Sequence, residues 1–241
     1  MHPTLLYYLN LALCGLVCIE LLVTFRKNPL LRLYFLLIIA SVFMMNYFAV
    51  TGVHSRVQLI VVKFSRLVYV CSTLLTLIHF VQPKIPRWVI ALIVFSAIAV
   101  TGLRLVYFNQ INPEALINNP VFTVGGEFYS PKPVARYIII AMSIASIIIG
   151  YYYYQRLLMK LNRESVHYKP LLRWIISLVV PFFLLIIFGI LGNLRIFNET
   201  LSSYLFALFS CTTICSFVFR PRSLGAALDS EFHEPASAVV G

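Results

Sequence analysis

Apolar residues fall in long runs broken by brief polar punctuation, and the breaks define the elements before any chemistry does. Runs of this length read as helices that satisfy their own backbone hydrogen bonds where there is no water. Seven are predicted, at about 4–25, 30–52, 57–81, 88–108, 134–154, 171–193 and 200–219. The separators carry breaker residues: Lys27-Asn28-Pro29, Gln82-Pro83-Lys84-Ile85-Pro86, Asn112-Pro113 and Pro131-Lys132-Pro133. Within the longest loop, 109–133, strand-type residues on both sides of Gly125-Gly126 predict a small hairpin. The stretch 155–170 reads as a continuation of the fifth helix. Residues 220–241 are too few to form a domain. The expected organisation is therefore all-α, a seven-helix transmembrane bundle over 1–219 followed by a short tail, with no signal peptide.

Composition agrees. Of 241 residues, 61% are hydrophobic and 11% charged, against about half and a quarter in soluble domains. Mean hydropathy is +0.90. These values exclude a soluble globular enzyme. They supply about 20 apolar residues for each of seven bilayer crossings.

Charge sets the expected orientation. The chain carries 19 Lys and Arg against 8 acids. Arg26, Lys27, Arg32, Lys84, Arg87, Arg156, Lys160, Arg163, Lys169, Arg173, Arg220 and Arg222 fall on one side, while Arg56, Arg104, Lys132, Arg136 and Arg195 fall on the other. Cytoplasmic loops are the cation-rich ones, so the N-terminus is expected outside and the C-terminus inside. The positive charge implies contact with anionic lipid. It implies no nucleic acid, because the cations are scattered over separate loops.

Ionisable groups at membrane depth are costly and read as candidate functional sites. In the third span Arg66, Tyr69, Thr73 and Thr76 share one arc of the helix, with Lys63 and His79 flanking it. One reading is a pocket open to the outside in which Lys63 and Arg66 attract an anionic group, which Arg grips bidentately. The other is that both cations snorkel outward or pair with Glu199 or an outer-loop acid. Glu20 reads as a titrating group or as a partner for Arg26, Arg32 or Arg222. Asn10 and Asn46 complete a polar core with Glu20 and His79, or bind helices together. Arg156, Lys160, Arg163 and His167 form a stripe facing either a partner or lipid headgroups. Pro181 is expected to kink the sixth span.

Catalytic signatures are missing. No H-E-x-x-H or G-x-S-x-G occurs, and 198–219 has no lysine for a retinal Schiff base. Cys14/Cys18 and Cys211/Cys215 are four-residue pairs at similar expected depth, but no further ligand accompanies them. No enzyme activity, cofactor or metal is expected.

Residues 125–193 resemble the N-terminal seven-helix sensor region of bacterial histidine kinases. The resemblance rests on Gly125-Gly126-Glu127-Phe128-Tyr129, a following apolar helix ending in tyrosines and a basic linker, then Tyr168, Leu171-Leu172, Pro181 and Gly192-Asn193. It implies a sensor in the bacterial inner membrane whose bundle reports to a cytoplasmic output, which here is either a partner or a further part of a longer protein of which this chain is a fragment. The expected function is thus a receptor module for an anionic or amphipathic ligand. An accessory subunit of a membrane complex and a small transporter or channel are the alternatives.

Overall fold

The structure, a computed structural model, describes residues 3–24, 28–52, 56–82, 85–108, 133–161, 168–193 and 199–219. Among them are seven helices and no strand: α1 (Pro3–Thr24), α2 (Pro29–Thr51), α3 (Arg56–Val81), α4 (Arg87–Phe108), α5 (Pro133–Lys160), α6 (Tyr168–Asn193) and α7 (Glu199–Val218). Four contain stretches long and apolar enough to cross a membrane: Leu5–Val23, Pro29–Thr51, Ile60–Val81 and Tyr168–Leu191.

Local chemistry sets the ends of these helices. Pro29 occupies the first turn of α2, where its missing N–H has no intrahelical partner to lose. Asn28 caps it, its Oδ1 accepting the Leu31 N–H at 3.2 Å. At the other end Gly52 takes φ 78° and donates its N–H to the Phe48 carbonyl at 3.0 Å, a backbone state that favours glycine. The continuation expected over 155–170 is only partly present. α5 stops at Lys160 with a bend at Leu161, and Tyr168-Lys169-Pro170 opens α6 instead. Pro170 sits in that first turn, where proline is tolerated. α6 runs through Pro181 as one helix. The expected Gly125-Gly126 hairpin, Arg163 and the tail 220–241 lie outside the described residues.

Each helix packs on its neighbours in sequence, and α7 returns against α1, so the bundle closes on itself. α3 leans inward and also meets α5 and α6. The odd-numbered helices α1, α3, α5 and α7 start at one end, here the upper end. From Ser72 to Val81, every α3 residue is buried, so its lower half is enclosed on all sides. Its upper half is less covered, with Val57 and Phe64 exposed.

α1 shows how sequence spacing makes the interior. Tyr7, Asn10, Cys14, Val17 and Leu21, at steps of three and four, are buried. Leu9, Leu16, Ile19 and Val23 on the opposite side are exposed and equally apolar. A helix apolar on both its inner and outer faces suits an apolar surrounding. Glu20, expected in the polar core, is on the exposed side, because it sits about 100° around the helix from Leu21.

Gly150 of α5 is buried because α6 approaches it closely. A Cβ there meets Phe182 Cε1 at 2.7 Å and Leu74 Cδ2 at 3.5 Å. Phe182 is fully buried and has no room to swing away. Gly150→Leu is expected to destabilise the bundle by about 1–3 kcal/mol through overpacking. Adding Phe182→Ala restores part of that loss in a denaturant-unfolding comparison in mixed micelles.

Candidate functional site

The polar face of α3 meets α7 through long side chains. Tyr69 is fully buried, its hydroxyl 3.4 Å from Thr213 Oγ1 and its ring edge-on to Phe209 at 5.1 Å. Thr213 Oγ1 already donates to the Phe209 carbonyl at 3.0 Å. Tyr69 is therefore the donor across the interface, and Thr213 the acceptor. One turn up, the Arg66 guanidinium carbon lies 5.9 Å from the centroid of the Phe206 ring, a cation–π contact. Its Nε is buried and has no hydrogen-bond partner among the described residues. Lys63, a further turn up, is half-buried.

Thr73 and Thr76, expected to line the same site, are fully buried in the enclosed half of α3. Their hydroxyls donate to Tyr69 O at 2.9 Å and Ser72 O at 2.8 Å in their own helix. Of the expected stripe, Thr73 and Thr76 thus turn to carbonyls of their own helix, while Arg66 and Tyr69 reach α7.

α1 and α2 contribute an amide pair. Asn46 Nδ2 donates to the Val42 carbonyl at 2.8 Å, which leaves its Oδ1 to accept Asn10 Nδ2 at 3.2 Å. Both amides are fully buried, and the order of donors leaves Asn10 Oδ1 without a partner among the described residues. Ser210 Oγ on α7 is in the same position.

Register places these groups together. Arg66 meets Phe206 and Tyr69 meets Phe209, so three residues along α3 match three along α7 in the same direction. With Tyr69 also meeting Thr213, Arg66 stands level with the turn Phe206–Ser210. Tyr7 of α1 contacts Phe206 at 6.1 Å between centroids, so Asn10, three residues further, stands level with Phe209 and Ser210. α1, α3 and α7 each bring one polar atom without a hydrogen-bond partner among the described residues to the same height. The sequence reading missed Ser210. The signal was available, since Ser210 and Thr213 repeat in the last span the three-residue step of Arg66 and Tyr69.

A second polar group closes the lower end. Asn28 Nδ2 lies 3.3 Å from His79 Nε2. Because Asn28 Oδ1 is engaged by Leu31, its amide donates and the imidazole accepts. The His79 ring is also edge-on to Tyr34 at 6.1 Å. Lys160, read from sequence as facing lipid or a partner, donates from Nζ to the Val81 carbonyl at the end of α3, where a cation suits the helix dipole. Arg156 is exposed, its Nε 3.1 Å from the Tyr152 hydroxyl. Cys211 and Cys215 lie 4.0 Å apart between sulfurs, and no group of three or more metal-ligating side chains forms among the described residues.

Comparison with protein-family models, curated proteins and solved structures gives no match.

The donor assignment at Tyr69 has a measurable consequence. Tyr69→Phe leaves Thr213 its bond to Phe209 and is expected to cost only about 0.5–1.5 kcal/mol. Phe209→Ala empties a packed position and is expected to cost about 3–5 kcal/mol. Unfolding midpoints of the two variants in the same micelles check the order.

Proposed function

We propose that the protein is a seven-helix membrane receptor that binds an anionic, amphipathic ligand from the outer side and signals to a cytoplasmic partner. The observation that carries this reading is Arg66, a cation inside the bundle whose Nε has no hydrogen-bond partner among the described residues. Arg66 as a whole is half-buried, but a guanidinium nitrogen buried without a partner is costly, and an anion offsets that cost.

The seven-span reading is supported by length. α4, α5 and α7 have 22, 28 and 20 residues. At the usual rise they reach roughly 33, 42 and 30 Å, against a hydrocarbon core of about 30 Å. With all seven helices crossing, the cation-rich loops put the upper end outside and α5's end in the cytoplasm. The upper half of α3 is the less covered one, so a ligand reaches Arg66 from outside, with Lys63 attracting it on the way. Tyr7, Phe206 and Phe209 supply apolar surface for its chain.

Output runs through the enclosed half of α3. Lys160 ties its last carbonyl to α5. Trp174 ties it to α6, edge-on to Phe80 at 6.0 Å and to Phe35 at 5.8 Å. A shift of α3 favoured by ligand therefore moves the cytoplasmic end of α5, where Arg156 presents a cation to a partner or to anionic lipid. This route agrees with the sensor-region resemblance of residues 125–193 and with a bacterial inner-membrane location.

Dodecanoate is a suitable probe, with dodecyltrimethylammonium as the cationic control. In lipid nanodiscs, dodecanoate is expected to raise the thermal unfolding midpoint and the control to leave it in place. Arg66→Gln is expected to weaken dodecanoate binding by about tenfold or more, the effect of losing a charged hydrogen bond. Equal binding of both amphiphiles, or full binding to Arg66→Gln, overturns the receptor reading. Stoichiometric protein partners retained after gentle extraction favour an accessory subunit of a membrane complex instead.

A further inference from the structure

We propose that Asn10, Arg66 and Ser210 form one clamp across α1, α3 and α7, and that it selects a carboxylate bearing a hydroxyl on the adjacent carbon. The inference deepens the receptor reading and rests on Arg66 being an anion site.

Three facts converge. Asn10 Oδ1, Arg66 Nε and Ser210 Oγ are all buried and all without a hydrogen-bond partner among the described residues. They come from three helices and stand at one height, as fixed by the Tyr7–Phe206, Arg66–Phe206 and Tyr69–Thr213 contacts. Their chemistry is mixed and its direction is determined. Arg66 Nε only donates, and Asn10 Oδ1 only accepts because Asn46 holds the other end of that amide. Ser210 does either.

A simple carboxylate answers part of this set. Its oxygens accept from Arg66 Nε–H and Ser210 O–H but leave Asn10 Oδ1 unmatched. A hydroxyl beside the carboxylate supplies the missing donor. The 2-hydroxy acid therefore satisfies all three atoms at once, with its chain along Phe206 and Phe209.

In the structure the three atoms are shielded from the surface. Admitting the head group requires α7 to move away from α3 above the Tyr69–Thr213 contact, which lies one turn below the clamp. Unmatched polar atoms weaken the closed packing, so the clamp also sets the balance between closed and open forms.

The experiment compares dodecanoate with 2-hydroxydodecanoate on the full chain in nanodiscs, for wild type, Ser210→Ala, Arg66→Gln and the double variant Asn10→Leu/Asn46→Leu. The double variant removes both amides together, so neither is left orphaned. The hydroxy acid is expected to bind wild type about tenfold more tightly, one extra buried hydrogen bond's worth. The double variant loses that preference and keeps dodecanoate binding. Ser210→Ala is expected to move two readouts in opposite directions: the ligand-free unfolding midpoint rises as an orphan hydroxyl disappears, and both acids bind more weakly. Equal affinity of the two acids for wild type, with Arg66→Gln still releasing both, overturns the clamp and leaves the anion site standing; a water molecule then matches Asn10 and Ser210. Arg66→Gln binding both acids like wild type overturns the underlying reading as well.

Discussion

A helix enclosed on every side has no outward stripe into which a polar group can be turned, and α3 is in this position from Ser72 to Val81. Each polar side chain there has to be matched by the helix itself or by a neighbour brought into register. Thr73 and Thr76 use the first solution, bonding to carbonyls one turn back. His79 uses the second, as does Tyr69 just above the enclosed segment, and each fixes a helix in doing so. Tyr69 sets the height of α7 through Thr213, and His79 sets the start of α2 through Asn28. The register of the bundle thus follows from satisfying one buried helix.

The two ends of the bundle differ for the same reason. At the lower end, rings interlock around the enclosed segment, with Phe35 edge-on to both Trp174 and Phe217. At the upper end the surroundings of α3 thin out, and the polar groups of three helices arrive at one level without completing one another. The lower half is closely packed and the upper half carries the unmatched polar atoms.

Much of this was legible in the sequence. Uninterrupted apolar runs and breaker residues predicted seven helices within a few residues, because helices in apolar surroundings leave little choice of element. Burial of Asn10, Asn46, Tyr69 and His79 followed from the cost of exposing such groups. What the pattern did not carry was pairing. Glu20 looked internal by depth along the chain, but its angle around α1 puts it outside. Lys160 is a surface cation as expected, but its bond to the Val81 carbonyl depends on where α3 ends relative to α5. Ser210 was overlooked because a lone serine in an apolar run reads as filler until the facing side chain is known.

Asn28 joins two tasks in one side chain. Its oxygen caps α2 and its nitrogen meets His79. Asp, Ser and Thr all cap helices well, but each serves the imidazole differently: an ionised Asp meets it only in the tautomer that donates from Nε2, and a Ser or Thr hydroxyl has to reach both partners from a single oxygen. Gly serves neither task with a side chain. Two tasks carried at once therefore narrow the alphabet permitted at this position, although either task alone admits several residues. A turn that looks like ordinary polar punctuation between two spans is held by two constraints, one from each of the helices it joins.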